Sequence, residues 1–176
     1  MVDAASASGQ ITMSSYLLPI ADGEPLMWIL RERKTAFSAH RRREAERLAT
    51  GERFLLYTTR GCFHNPTRDR GRVIGVAGVR RPAKDLAEPI RFGEREFPIG
   101  VEFAFRALLP RNEGLELAPL VANPPKTFAN PGAWSATLRP ALVPFDDREA
   151  QRLVSKLGDR PATNRVIETF ATFSGG

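Results

Sequence analysis

The sequence predicts a mainly β domain with flanking helices, an α+β arrangement built on a small curved β-barrel of five to six strands. Three observations predict it. Short apolar runs rich in Val, Ile, Leu and Phe recur along the chain and are separated by Gly, Pro and Asn turn chemistry. Helix signals are few and short. The connections between runs are long and irregular, as small closed or strongly curved sheets with few helices have them.

Ser15 to Ile20 (SYLLPI) is the first apolar run and reads as a strand. Asp22-Gly23 makes a turn, and Leu26 to Leu30 is too short for periodicity to separate strand from helix. Thr35 to Ser38 forms a lead-in to a helix over Ala39 to Ala49, with Ser38 able to cap it and Gly51 placed where it stops. Arg41, Arg42 and Arg43 put positive charge at the start of that helix, against its dipole, unless something anionic binds there. Arg53 to Thr59 (RFLLYTT) reads as a buried strand and Val73 to Val79 (VIGVAGV) as its neighbour. Between them, Arg60 to Arg72 is an exposed loop with four arginines among 13 residues. Ile90 to Phe92 and Phe97 to Leu108 read as strands turned at Gly93-Glu94, and Leu115 to Val121 as a short helix. Asn123 to Trp134 is a loop stiffened by three prolines. Ala136 to Pro144 reads as a final edge strand, because Pro140 and Pro144 cannot donate to a ladder. Asp146-Asp147 opens a helix running to about Leu157.

At 176 residues the chain fits one domain. Residues 1–14 are small and polar and read as a disordered lead-in, residues 15–157 as the domain, and 158–176 as a C-terminal tail in which Val166 to Phe173 could dock. The single cysteine, Cys62, cannot build a disulfide framework and points to a cytoplasmic home. No run approaches the roughly 18 apolar residues of a membrane-spanning helix, so no membrane partner is expected.

Charge is the informative part of the composition. Arg31 to Arg81 carries 14 basic and 5 acidic residues, a balance of +9, whereas the remaining residues carry 12 and 15, a balance of −3. One segment holds the positive excess, as a surface that meets polyanions does. Only 4 of the 26 basic residues are Lys, and arginine's planar fork suits phosphate contact and stacking on bases. Catalytic signals are sparse. Cys62 and His64 lack a second Cys/His pair for a tetrahedral metal site, so no metal and no cofactor is expected. Neighbours at i and i+2 on a loop seldom make a working nucleophile and base. Asp146-Asp147 is explained as a helix cap. Phe54, Phe103 and Phe105 read as core; Tyr57 and Trp134 fit either core or the walls of a site where a base stacks.

The order of these elements resembles the EVE domain, of the PUA-like superfamily that also holds ASCH, YTH and SRA domains. The pieces are SYLLPI, then TAFSAHRR leading a helix, GERFLLYTT, GRVIGVAGV and FPIGVEFAF, closed by Trp134 ahead of SATLRPALVPFDDREAQRL. The similarity spans about residues 15–157. Leu17 and Leu18 follow Tyr16 where the family has a tryptophan, and Gly51-Glu52 stands where it has Gly-Asp. The resemblance implies a surface pocket holding one nucleobase, a chemically modified one among the candidates. By position its lining would be Thr35, Phe37, Ser38, Tyr57, Thr58, Thr59, Arg60, Asn130 and Trp134. Arg41, Arg42, Arg43, Arg68 and Arg70, with Arg60, would grip phosphates. The expected partner is nucleic acid, DNA or RNA, with a homodimer left open and no catalytic residue assigned. An enzyme of the ASCH type acting on RNA or modified nucleosides, or a free-nucleotide sensor, is the alternative.

Overall fold

The computed structural model describes residues 15–65, 69–117 and 141–171. In chain order these form β1 (Ser15–Ile20), α1 (Gly23–Glu32), β2 (Lys34–Phe37), a 3-10 turn over Ala39–Arg41 and α2 (Arg42–Glu46). There follow β3 (Arg53–Thr58), β4 (Arg72–Phe92), β5 (Arg95–Leu108), a second 3-10 turn over Arg111–Glu113, and β6 (Leu115–Glu116). After the second break come β7 (Val143–Phe145), α3 (Asp147–Leu157) and α4 (Asn164–Glu168).

β1 and β3 lie side by side in parallel, Ser15 opposite Arg53 and Ile20 opposite Thr58. A parallel pair needs a crossover connection, and here that connection holds α1, β2 and α2. The remaining pairs are antiparallel and give the order β2-β5-β4-β3-β1-β7, with β6 added to β4. The protein is therefore mainly strand with a few helices, and its described residues form one open, curved sheet of seven strands. The expected five to six strands become seven because Lys34–Phe37, read as a lead-in to a helix, pairs with β5, and Leu115–Glu116, read as the start of a helix, pairs with β4. Pairing decides both, since segments of four and two residues carry too little pattern to declare themselves. The ladder path is open rather than closed into a barrel among the described residues. Curvature still brings Phe37 of β2 and Leu142, just ahead of β7, into one core cluster.

Side-chain alternation divides the core in two. Along β3, Phe54 and Leu56 enter the larger cluster with Leu26, Leu30, Leu48, Ile99 and Phe103, whereas Leu55 and Tyr57 enter the other with Val73, Val76, Leu153 and Leu157. α1 and α4 cover the first face and α3 the second. Fully burying each such Leu or Phe stabilises the fold by roughly 1.5–3 kcal/mol.

The ambiguous Leu26–Leu30 is helix. Asp22 accepts from the Glu24 amide at 3.1 Å to cap α1, and Arg33, at φ 55°, ends it by donating its amide to the Ile29 carbonyl at 3.0 Å. The expected helix over Ala39–Ala49 shortens to the 3-10 turn and α2, and Ser38 sits at its start without a side-chain capping bond. β4 joins the two runs read as separate strands into one 21-residue strand, turned into β5 at Gly93 (φ 61°). Asp146 caps α3 through the Arg148 and Glu149 amides at 3.0 and 3.2 Å. The final strand occupies Val143–Phe145; Ala136–Pro140 lie outside the described residues. Past Gly158 the chain packs back on the core: Ile167 and Phe170 are buried, and Leu108 donates its amide to the Arg160 carbonyl at 2.9 Å.

Candidate nucleic-acid interface

Among the described residues the fold keeps the arginines of the basic segment at least partly exposed, with the exception of one. Arg53 is buried at the start of β3. Its Nε donates to Ser15 Oγ at 2.8 Å, Nη1 to Gln151 Oε1 at 2.8 Å and Nη2 to the Asp147 carbonyl at 3.3 Å, so it ties β3 to β1 and α3. Desolvation pushes its pKa below the usual arginine range, with the Asp147 charge opposing. This charge is structural and is lost to any interface.

Arg41, Arg42 and Arg43 line the 3-10 turn and α2. Arg41 meets Glu44 at 2.6 Å and Arg42 meets Asp85 at 2.6 Å, both pairs reaching solvent, and Arg43 is exposed. The Asp85 hydrogen bond and charge raise the Arg42 pKa. Arg60 is exposed at the turn after β3. Arg70 is 70% exposed and shares Glu116 with Arg72, at 3.1 and 3.3 Å. The exposed ion pairs of Arg42 and Arg70 contribute roughly 0–1 kcal/mol each, so a phosphate can replace the carboxylate there at little cost, whereas Glu44 is only 17% exposed and holds Arg41 more firmly. Arg68 lies outside the described residues.

The nine residues assigned to a base pocket divide into three groups. Thr35, Phe37, Tyr57 and Thr58 are all nearly fully buried. Phe37 belongs to one core cluster and Tyr57 to the other, so the two rings occupy opposite faces of the sheet and do not form facing walls of one slot. Burial also pushes the Tyr57 phenol up to about 12, against a smaller lowering by Arg60. Ser38, Thr59 and Arg60 reach the surface to differing degrees. Asn130 and Trp134 lie outside the described residues.

The ladder does not place Ser38 beside Arg60. Phe37 stands opposite Ile99, and Gly75, three positions along β4 from the Arg72 that faces Thr58, stands opposite Leu108. The two groups therefore enter the sheet toward opposite ends of β5. Glu44 holds Arg41 with one carboxylate oxygen and accepts the Leu142 amide with the other at 3.0 Å, tying the basic turn to the chain that enters β7.

A cluster that sequence reasoning missed lies under the loop after β3. Arg111 places its guanidinium 4.0 Å from the Phe63 ring centroid and 3.6 Å from the Asp69 carboxylate. Phe63 also stacks with Phe170 at 6.4 Å. Cys62 is fully buried beside them, and its thiol is pushed up to about 12 by desolvation first, with Asp22 and Asp69 raising it and Arg111 opposing. A thiol so held is protonated at neutral pH and is no nucleophile. His64 is 78% exposed and lies 4.0 Å from Asp22. No local spacing announces this cluster, because its members come from positions 62–69, 111 and 169–170. Among the described residues no group of three His, Cys, Asp or Glu could hold a metal ion, and no helix is long and apolar enough to cross a membrane.

No family model matches the sequence, and no curated protein does. Solved structures do resemble the fold. A protein from Pseudomonas syringae is similar at 15% identity over 81% of this chain and 99% of its own, with a TM-score of 0.51. A hypothetical protein from Leishmania major is similar at 17% identity over 80% and 92%, with a TM-score of 0.50. At these identities the likeness is one of fold alone. The human THYN1 protein, solved in complex with 5-methylcytosine containing DNA, is similar at 13% identity over 84% and 99%, with a TM-score of 0.48.

Proposed function

We propose that this domain binds nucleic acid through the arginines of residues 31–81 and holds one base beside them. The observation that carries the reading is the segregation of charge, +9 in that segment against −3 elsewhere. It persists at the surface: Arg41, Arg42, Arg43, Arg60 and Arg70 all keep access to solvent, and only weak surface pairs compete with a phosphate for Arg42 and Arg70. The base site, in this reading, is built on Thr59 and Arg60 with Asn130 and Trp134, while Ser38, toward the other end of β5, stands with the phosphate-gripping turn of Arg41, Arg42 and Arg43. Tyr57 and Thr58 support it from within β3, and Phe37 and Thr35 serve the core instead, since burial leaves none of the four a face to offer a base.

The test is fluorescence anisotropy with short single- and double-stranded DNA and RNA, with and without 5-methylcytosine, across a salt series. Each lost phosphate contact lowers the slope of log K against log salt by about 0.9 on duplex DNA and about 0.7 on single strands. Changing Arg41, Arg42 and Arg43 together to Gln should therefore flatten the slope by about 2–3. Arg148→Gln with Arg152→Gln, on α3, should leave it unchanged. Trp134→Ala should cost about 1–3 kcal/mol for a stacked base and erase any preference among bases. Binding that is equally weak for every oligomer and indifferent to the Arg41–43 change would overturn the reading and favour a free nucleotide or another small molecule.

A further inference from the structure

Resting on the nucleic-acid reading, we infer that Arg111 is a positioning residue: stacked on Phe63 and paired with Asp69, it holds the loop after β3 so that Arg60 and Arg70 stand ready for phosphates. The Arg111 side chain is only 10% exposed, so it is poorly placed to touch a polyanion itself. Its contacts instead reach both limbs of the loop. Phe63 lies on the limb leaving β3, three residues from Arg60, and Asp69 lies on the limb entering β4, next to Arg70. One planar guanidinium thus bridges the two limbs, a task that needs both a flat cation for the ring and a charge for the carboxylate.

The bridge is itself braced. The Arg111 amide donates to Thr169 Oγ1 at 3.1 Å, and that hydroxyl donates to the Val166 carbonyl at 2.6 Å. Phe170, 1% exposed, stacks with Phe63. Within the loop, Cys62 donates its amide to the Thr59 carbonyl at 3.1 Å, His64 to Gly61 at 3.0 Å and Asp69 to Asn65 at 2.8 Å. Limbs held in place before binding spare the entropy of ordering them at the moment of binding. The chain beyond Gly158 thereby acquires a role in binding without touching the ligand.

The experiment pairs hydrogen exchange of the free protein with salt-dependent binding of a labelled single-stranded oligonucleotide, using the full chain and its Arg111→Gln, Arg111→Lys and Phe63→Leu variants. The exchange of amides 60–65 and 69–72 should speed by about tenfold or more in all three, while Ile74–Val79 stays protected. The binding slope should fall by about 1.4 in each, the loss of two single-strand phosphate contacts. Lysine keeps the charge and should not restore either readout, and Phe63→Leu removes no charge at all. Unchanged loop exchange, or rescue by lysine, would overturn the inference. Wild-type protein that fails to bind would sink the nucleic-acid reading, and the exchange data would still decide whether Arg111 holds the loop.

Discussion

A Cβ atom placed on Gly71 would fall 1.8 Å from the phenolic oxygen of Tyr57 and 2.6 Å from its Cζ. The loop enters β4 directly over this buried ring, at a separation that only a residue without a side chain allows. Gly71→Ala should therefore destabilise the protein by about 1–3 kcal/mol, the usual cost of overpacking a tight core. Urea unfolding would read it. Adding Tyr57→Phe removes the nearest clash but leaves the ring carbon, so the double variant should recover only part of the loss.

Arg53 gives a second prediction. Its three hydrogen bonds join β3 to Ser15 and to α3 inside the protein. Arg53→Met keeps much of the volume but strands Ser15 Oγ and Gln151 Oε1, and should cost about 2–3 kcal/mol. Arg53→Lys keeps the charge yet cannot reach three acceptors in a fork, so it should cost nearly as much. Nucleic-acid binding by the folded fraction should be unchanged, since this guanidinium is not at the surface.

Elements with a strong local pattern were legible in the sequence, and elements defined by pairing were not. SYLLPI and RFLLYTT declare themselves as strands because five or more apolar or β-branched residues run together, and Asp146 declares a helix start by its capping chemistry. Lys34–Phe37 is a strand because β5 lies beside it, a long-range fact. The parallel partnership of β1 with β3 is equally silent, since it depends on where α1, β2 and α2 return the chain. For the site, surface charge was legible because arginines rarely bury; Arg53 escaped because its partners lie 38 and 98 positions away. That Phe37 and Tyr57 are core on opposite faces was hidden for a related reason. Alternation on β3 sends Tyr57 toward α3 and away from Phe37, and only the assembled sheet shows which face is which.

The β4–β5 hairpin extends past the body of the sheet, where beyond Val79 the outer edge of β4 has no strand partner among the described residues. Pro82 and Pro89 blunt that edge by removing donors. A two-stranded ribbon is marginal alone, and this one is stapled to α1 by Trp28 against Phe92, edge to face at 6.1 Å, with Phe97 packed on Phe92 at 5.6 Å. Phe92→Ala should free the tip locally. Amides from Glu88 to Phe97 should then exchange faster, while the global unfolding midpoint moves little.

Alkaline pH should destabilise the fold in two overlapping steps. Cys62 and Tyr57 ionise near 9.0 and 10.0 in the unfolded chain and at about 12 when folded, because burial disfavours the charged form. Both raised values favour the folded state at lower pH, and that advantage is complete below pH 9. As pH rises from 9 the unfolded chain begins to lose the Cys62 proton while the folded chain keeps it, so stability falls. From 10 the tyrosine adds to the slope, and by about 12 both contributions are spent. At about 1.36 kcal/mol per pKa unit, the combined loss is several kcal/mol. Urea midpoints measured from pH 7 to 12 should stay level to about 9 and then decline. Cys62→Ala should delay the onset to about 10, and Tyr57→Phe should flatten the curve above that pH. A decline well under way by pH 8, or one that neither substitution alters, would assign the alkaline transition to other groups.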